Sequence, residues 1–280
     1  MNGVSWRVEH DTAYVTLRGA KRNALSRAVY HQLGDCLEEI ALRPDIRFVV
    51  LAGADGVFSS GGDLTELRHG LPQDYLDDYL RRMHRSIVAI GAMDQIVISV
   101  IEGAAIGAGA ALAMSADIVL AEATAQMRLS FVHIGYVPDA GVTWLLPRNA
   151  GFAVARDMLL TGRSISMTEA RQSGLISRIA EPGGLSALLE SVLEELRLAP
   201  ARSLALTKHL INTPEREAMT SALRAEGATQ PVAAAAQDTN HLVAAVLDGM
   251  RRSGQEHDEP PTSSRHDVPE DRESTCTTDQ

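Results

Sequence analysis

The chain has 280 residues, of which 45% are hydrophobic and 22% charged, so it is long enough to bury a sizeable core. The formal net charge of −10 disfavours a nucleic-acid-binding surface, and two cysteines fit a reducing compartment better than a disulfide framework. The polar N-terminus lacks the apolar core of a signal peptide, and no run approaches the ~18 apolar residues of a membrane span. We therefore expect a cytoplasmic protein that binds neither nucleic acid nor membrane.

The first hundred residues alternate strand-like and helix-like patterns. Residues 5–18 alternate apolar and polar side chains, which predicts a β-hairpin, and Ser26 then fits the N-cap of a helix. Apolar runs at 48–51 and 96–101 predict buried strands. Between them, the polar stretch 65–78 predicts a loop or short helix, followed by a long helix. Strand–turn–helix units that recur in this way predict an α/β architecture.

The second half of the chain becomes progressively helical. Its predicted elements are a small-sided helix at 108–116, strands at 117–121, 126–132 and 175–179, and helices at 185–196, 203–211 and 215–250. We expect the last helix to be interrupted near Gly227 and Pro231. The charged residues after Met250 are nearly free of large apolar groups, which predicts disorder. The predicted organisation is an α/β core over 1–196, a helical C-terminal region over 197–250 and a disordered tail over 251–280.

Two glycine-bearing turns, at 57–64 and 102–110, each follow a predicted strand and lead into a helix. Such a turn leaves backbone N–H groups unpaired at the N-terminus of the helix. For either turn alone, glycines that only ease a tight turn explain the pattern equally well. Two such N–H groups that converge on one point would form an oxyanion hole. Together the turns therefore predict a site whose donors are the N–H groups of Gly62 and Ala108.

Several short motifs occur in a fixed order along the chain. They are Asn23-Ala24-Leu25, Val50-Leu51-Ala52-Gly53, Phe58-Ser59-Ser60-Gly61-Gly62-Asp63-Leu64, Gly103-Ala104-Ala105-Ile106-Gly107-Ala108-Gly109, Asp117-Ile118 and Leu160-Thr161-Gly162-Arg163. In combination they resemble the crotonase (enoyl-CoA hydratase/isomerase) superfamily from about residue 4 to 250. The resemblance implies an α/β fold with a crotonase-like ββα superhelix and a helical C-terminal trimerisation region. It also implies CoA thioester substrates and an oxyanion hole that stabilises an enolate.

The resemblance also implies roles for particular residues. It places the oxyanion donors at Gly62 and Ala108 and the CoA moiety along Arg22, Ala24, Leu25, Ser60, Gly62, Asp63 and Leu64. CoA would enter as part of the substrate, so we expect no separate cofactor and no metal. In agreement, the sequence has no P-loop, no H-E-x-x-H and no paired C-x-x-C, and Leu112 replaces the third glycine of a dinucleotide fingerprint. The implied assembly is a homotrimer or a dimer of trimers.

The chain departs from the hydratases of this superfamily at the catalytic acids. Hydratases use two glutamates, and the matching positions here are Ala111 and Phe131. The next candidate is Asp139, in a stretch that resembles the branch of epoxyphenylacetyl-CoA isomerases that also act as Δ3,Δ2-enoyl-CoA isomerases. In that branch a single aspartate moves the proton, and we expect its apolar neighbours to raise its pKa. The candidate neighbours are Phe131, Tyr136, Trp144 and Leu145. The alternative role for Asp139 is an N-cap of the helix that follows it.

For several other residues near the predicted site, we favour a structural role over a catalytic or binding one. His133, predicted on a strand, and Tyr136 are expected to pack, while Glu66 and His69 are expected to be solvated. Lys208 is a candidate for a CoA phosphate contact. Three functions remain open: an enoyl-CoA isomerase with Asp139 as its acid/base; a hydratase, lyase or thioesterase acting on a specialised acyl thioester; and an inactive CoA-binding scaffold.

Overall fold

The computed structural model describes residues 3–67 and 72–258. The strands are β1 (Gly3–Glu9), β2 (Thr12–Arg18), β3 (Phe48–Gly53), β4 (Ile96–Ile101), β5 (Ala104–Ile106), β6 (Ile118–Glu122), β7 (Gln126–Arg128), β8 (Ser164–Ser166) and β9 (Arg178–Ala180). The helices are α1 (Ala20–Asn23), α2 (Arg27–Ala41), α3 (Leu64–Leu67), α4 (Gln73–Ala92), α5 (Ala108–Met114), α6 (Val142–Thr161), α7 (Met167–Ser173), α8 (Leu185–Arg197), α9 (Ala201–Ala234) and α10 (Gln237–Asp258). A 3₁₀ helix, Phe131–Ile134, lies between β7 and α6.

The main sheet has six strands in the order β1-β2-β3-β4-β6-β9. The predicted hairpin β1–β2 is antiparallel, and every other neighbouring pair in this sheet is parallel. The apolar runs of β3 and β4 are largely buried because helices cover both faces of the sheet. β3 and β4 pair in register up to Ala52 and Val100. The two glycine turns therefore start side by side at the carboxyl edge of the sheet.

A smaller sheet, β5-β7-β8, lies beyond that edge. β5 begins within the second glycine turn and pairs in parallel with β7, which pairs in antiparallel with β8. The predicted strand at 126–132 is therefore shorter than expected. It ends at Arg128, and the following Phe131–Ile134 forms the 3₁₀ helix, so the prediction that His133 lies on a strand was wrong.

The core is divided between the two faces of the main sheet. On one face α2 packs against α4, where the rings of Tyr30 and Tyr79 meet edge-on at 5.4 Å between centroids. On the other face, α8 contributes Leu189 and Val192 to a second cluster with Phe48. Burial of apolar surface on both faces stabilises the sheet.

The C-terminal region differs from the sequence prediction in its helix boundaries. The 34-residue helix α9 runs without a break through Pro214, Gly227 and Pro231, and it ends at Ala234. Glu226 and Gln230 are buried against the rest of the chain, so tertiary contacts hold the helix where its local propensity is weak.

The last described helix reaches into the segment predicted to be disordered. α10 continues to Asp258, so eight residues of the predicted tail are helical, and 259–280 lie outside the described residues. Val243 and Leu247 anchor α10 by packing with Leu67 and Tyr136. Over residues 3–67 and 72–258, none of the helices combines the length and apolar character that a membrane crossing requires.

Candidate active site

The two glycine turns are in direct contact. Ser59 donates its N–H to the carbonyl of Ala104 at 3.0 Å, and Ile106 donates its N–H to the carbonyl of Ser59 at 2.9 Å. Gly61 has φ +92°, and a Cβ atom at this position would lie 2.7 Å from the carbonyl oxygen of Ile106 and 3.8 Å from the nitrogen of Ala108. Only glycine permits this backbone conformation together with so close an approach.

The two predicted donors lie in backbone positions that leave their N–H groups outside the regular hydrogen-bond pattern. Leu25 and Gly62 form a parallel bridge through Leu25 N–H to Gly61 O (2.7 Å) and Asp63 N–H to Leu25 O (3.4 Å). The N–H of Gly62 is not used in this bridge. Ala108 is the first residue of α5, so its N–H precedes the first bond within the helix. Both residues line one cavity.

This cavity, called here the site cavity, has a volume of about 390 Å³. One wall is the backbone of the two glycine turns. The rest is mainly apolar side chains, including Leu64, Leu76, Phe131, Ile134 and Val246. Such a volume suits the reacting part of a small-molecule substrate, because binding pockets combine apolar walls with a few polar groups. Asp139 is the one carboxylic acid among the described residues that line it.

Asp139 is 5% exposed and makes a single side-chain hydrogen bond. Its Oδ2 accepts a bond of 2.8 Å from Nε2 of Gln230, and its Oδ1 has no hydrogen-bond partner in the part of the chain that the structure describes. Burial, and secondarily the charge of Glu226, raise the pKa of Asp139 from 3.8 to about 7, although the Gln230 bond opposes this rise. A carboxyl group with this pKa both accepts and donates a proton near neutral pH.

The N-cap role considered for Asp139 is taken by another residue. The N-cap position of α6 is Gly141, which has no side chain to cap the helix. The carboxylate of Glu226 instead accepts hydrogen bonds from the N–H groups of Gly141 (2.7 Å) and Thr143 (3.0 Å). Because α9 supplies this cap, Asp139 is not needed to satisfy the start of the helix.

The predicted neighbours of Asp139 divide between two cavities. Phe131 and Tyr136 line the site cavity. Trp144, together with Leu145, instead lines a second cavity of about 400 Å³ among α4, α6 and α9. Trp144 therefore does not line the cavity that contains Asp139, because the first turn of α6 contributes it to the second cavity.

The residues predicted to hold CoA are brought together beside the first glycine turn. Lys21, Arg22 and Asn23 have positive φ, so α1 is a left-handed turn. The carbonyl of Arg22 accepts the N–H of Ser60 at 3.0 Å, which holds this turn against the backbone at 60–64. The side chain of Arg22 is exposed, whereas those of Ala24 and Leu25 are buried, so any CoA contact at the latter two would involve their backbone.

Asp63 and Leu64 start the short helix α3. The carboxylate of Asp63 accepts the N–H of Thr65 at 2.9 Å, which is an N-terminal capping contact, and it pairs with Lys21 at 2.9 Å. Leu64 lines the site cavity. Contact of these residues with CoA stays a prediction.

The remaining candidates have structural partners. Nε2 of His133 donates to the carbonyl of Thr161 at 2.8 Å, and its Nδ1 is 2.8 Å from the guanidinium of Arg128. Glu66 accepts the N–H of Arg27 at 3.0 Å, so it holds the start of α2. His69 lies outside the described residues.

Lys208 is not available to a CoA phosphate. Its side chain is 2% exposed, and its Nζ contacts Oδ2 of Asp117 at 2.7 Å and the carbonyl of Gln95 at 2.8 Å. Lys208 is therefore neither a phosphate ligand nor the solvated side chain that is usual for a charged helix residue, because its ammonium group is buried in this ion pair. Charged residues in such a position are paired within the protein.

Two residues of the site were not anticipated from sequence. Glu226 and Gln230 lie 85 and 91 residues from their partners Gly141 and Asp139. The two residues are four positions apart, so a helix would present them on the same face. This spacing is the only indication of a shared role that the sequence contains. Sequence alone does not tell that this face meets the start of α6.

We expect Asp139→Asn to change how stability depends on pH. Because folding raises the pKa of Asp139 from 3.8 to about 7, the group's stabilising contribution is present at low pH and is lost as pH rises through about 7. The asparagine variant lacks this loss. Relative to the wild type, its free energy of unfolding should increase by about 2–3 kcal/mol between about pH 5 and pH 8, measured by denaturant titration. A difference between the two proteins that stays constant with pH would contradict the burial of an ionisable carboxyl group.

Comparison with known proteins places this geometry in a family. The family model described as "Enoyl-CoA hydratase/isomerase" matches residues 7–245. The chain is 31% identical over 245 residues to the 1,2-epoxyphenylacetyl-CoA isomerase of Escherichia coli (strain K12), covering 86% of this chain and 93% of that protein. It is 38% identical over 176 residues to a probable enoyl-CoA hydratase of Rhodobacter capsulatus, covering 62% of this chain and 66% of that protein.

Solved structures agree with the sequence comparison. The enoyl-CoA hydratase from Mycobacterium avium subsp. paratuberculosis K-10 superposes with a TM-score of 0.81 at 28% identity, covering 87% of this chain and 98% of that one. The enoyl-CoA hydratase from Bacillus halodurans shares the fold, with a TM-score of 0.82 at 23% identity, covering 86% of this chain and 99% of that one. These matches confirm the predicted α/β fold with its helical C-terminal region. The chain therefore belongs to the enoyl-CoA hydratase/isomerase family.

Proposed function

We propose that this protein is an isomerase that moves the double bond of an enoyl-CoA thioester, with Asp139 as its single acid/base. The observation that carries the proposal is that the buried Asp139, whose Oδ1 has no hydrogen-bond partner among the described residues, lines the same cavity as Gly62 and Ala108. Similarity to an epoxyphenylacetyl-CoA isomerase over most of both chains supports it.

The reaction needs one proton carrier and one stabilised oxygen. The carboxylate of Asp139 removes a proton from the α-carbon of a 3-enoyl thioester, and the electron pair moves to the thioester oxygen, which gives a dienolate. The N–H groups of Gly62 and Ala108 donate hydrogen bonds to that oxygen. Asp139, now protonated, returns the proton to the γ-carbon, which shifts the double bond to the 2-position and regenerates the carboxylate. The pantetheine and nucleotide of CoA extend along Arg22 and the backbone at 60–64.

Hydration by the hydratases of this family needs a second carboxylate, which none of the described residues lining this cavity supplies. Two carboxylates hold and activate water in the hydratases, and their positions here are the fully buried Ala111 and the cavity-lining Phe131. A phenyl ring at the second position excludes water rather than activating it. Asp139 alone supports proton transfer between two carbons of one substrate, which consumes no water.

To test the proposal, the protein is incubated in ¹⁸O-labelled water with a 3-enoyl-CoA or a 2-enoyl-CoA, and the products and their ¹⁸O content are measured. We expect the two isomers to interconvert with no ¹⁸O in either. Incorporation of ¹⁸O into a hydroxyacyl product would instead identify a hydratase, and release of free CoA would identify a thioesterase. CoA affinity without turnover on a panel of thioesters would identify an inactive scaffold, and each of these three results would reject the proposal.

A further inference from the structure

Helix α9 forms several hydrogen bonds with the segment that carries Asp139. Gln230 is 2% exposed, and its Oε1 accepts the N–H of Val137 at 3.0 Å. Its Nε2 donates to the carbonyl of Val137 at 3.0 Å and to Oδ2 of Asp139 at 2.8 Å. A single amide thus binds the backbone and the carboxylate together. The orientation of the Gln230 amide is fixed because its oxygen and its nitrogen both have hydrogen-bond partners.

One helical turn earlier, Glu226 holds the other end of the same segment. It accepts the N–H groups of Gly141 and Thr143 and the hydroxyl of Thr143. Between these contacts Ala140 has φ +60° and Gly141 has φ +78°. A non-glycine residue with positive φ persists where surrounding contacts fix the backbone. Glu226 and Gln230, called here the α9 clamp, supply such contacts.

The clamp decides which oxygen of Asp139 is free. Oδ2 is bound by Gln230, whereas Oδ1 has no hydrogen-bond partner within residues 3–67 and 72–258, and Asp139 lines the site cavity. A carboxylate whose one oxygen is anchored presents the other in a defined direction, which a freely rotating group does not. The hydrogen bond from Gln230 also stabilises the carboxylate form of Asp139, and it so limits how far burial raises the pKa of this group.

We propose that Gln230 is a positioning residue for proton transfer, which anchors Oδ2 of Asp139 so that Oδ1 alone exchanges the proton with substrate. The inference rests on the proposed function for its kinetic consequences. Because Gln230 lies on α9, the packing of α9 against the core helps to orient the carboxyl group that transfers the proton. The C-terminal helical region is then required for chemistry as well as for folding.

The test replaces Gln230 by methionine, which has a similar length but no donor. We expect kcat on a 3-enoyl-CoA to fall roughly ten-fold at neutral pH with KM changed by less than about two-fold, because the loss concerns the proton transfer. The limb of kcat that rises with pH should move to higher pH by about one unit, because the charged form of Asp139 has lost its donor. Consequently the deficit should shrink in alkaline buffer.

The groups that face Asp139 from other elements are the same in both proteins. Among residues 3–67 and 72–258 they are Glu226 from α9, Tyr79 from α4, Tyr30 from α2, and Tyr136 on its own segment. Burial raises the pKa of each tyrosine, so all three stay neutral over the test range. A shift between wild type and variant therefore reports on Gln230.

The matched control is Thr229→Val, on the exposed neighbouring position of α9, which should leave kcat, KM and the pH profile unchanged. Titration of the Asp139 carboxyl carbon by ¹³C NMR, assigned with Asp139→Asn, gives a readout independent of turnover, and we expect it to move to higher pH in Gln230→Met. If that variant does not fold, Gln230→Asn, whose amide is one methylene shorter, should show the same shift.

A carboxyl titration that does not move would overturn the inference, as would an equal loss of kcat at every pH. A wild type that does not act on 3-enoyl-CoA would instead reject the proposed function. In that case the NMR titration would still decide whether Gln230 controls Asp139.

Discussion

Asp139→Asn is expected to lower turnover of a 3-enoyl-CoA by about 10²–10⁴-fold, the range of general acid–base contributions. The amide has the shape of the carboxyl group and can keep a contact with Gln230, but it does not carry the proton. Binding of the thioester should change little, because the lost interaction belongs to the transition state. The measurement is kcat and KM for double-bond migration, together with substrate affinity.

The control for this variant is Asp45→Asn, the same chemical change at a half-exposed residue that pairs with Arg43. It should retain wild-type turnover. In the wild type, kcat/KM should rise as pH passes through about 7, because the carboxylate form of Asp139 starts the reaction. That rise should be absent in Asp139→Asn. Undiminished turnover in the variant would remove Asp139 from the mechanism.

Deleting the N–H of Ala108 is expected to lower kcat by about 10²–10³-fold, the cost of one oxyanion-hole donor. Side-chain substitution does not test this contact, because the donor is a backbone group. Replacing Ala108 by lactic acid, its α-hydroxy analogue, converts the Gly107–Ala108 peptide into an ester. This removes the N–H and also weakens the Gly107 carbonyl as the acceptor of the Ala111 N–H. The loss should appear mainly in kcat, because the hydrogen bond is strongest when charge develops on the thioester oxygen.

The same ester at Ala116 provides the matched control. Ala116 follows the end of α5, where its N–H donates a long bond of 3.4 Å to Ala113, and it lines the second cavity instead of the site cavity. That protein should turn over within a few-fold of the wild type. Equal activity of the two esters would show that the N–H of Ala108 does not contact the reacting oxygen.

The glycine turns can be recognised from the local sequence, whereas the surroundings of Asp139 can be predicted only in part. The proposed oxyanion donors belong to turns whose glycines are apparent in the sequence, since Gly61 requires positive φ and a close approach to Ile106. Asp139 was selected by its family pattern and by the absence of glutamates at 111 and 131. Its environment was only partly anticipated: Phe131 and Tyr136 line the site cavity, but Trp144 does not.

The C-terminal half shows where local patterns fail. Gly227 and Pro231 were expected to interrupt a helix, and α9 runs through both. The buried Glu226 and Gln230 hold this stretch against the segment of Asp139, and such contacts outweigh differences in helix propensity of about 1–3 kcal/mol. Lys208 was also misjudged, because its partner Asp117 lies in a distant part of the chain.

Local patterns in the sequence predict the strand–turn–helix units and the two glycine turns, because apolar periodicity and glycine conformation act over a few residues. Asp139 comes instead from the resemblance to the family. The burial of Asp139, the bond from Gln230 to its Oδ2 and the capping of α6 by Glu226 become visible only in the folded chain. Those properties depend on which face of α9 meets α6, some ninety residues away along the chain. Packing of the whole core selects that contact, and no local pattern encodes it.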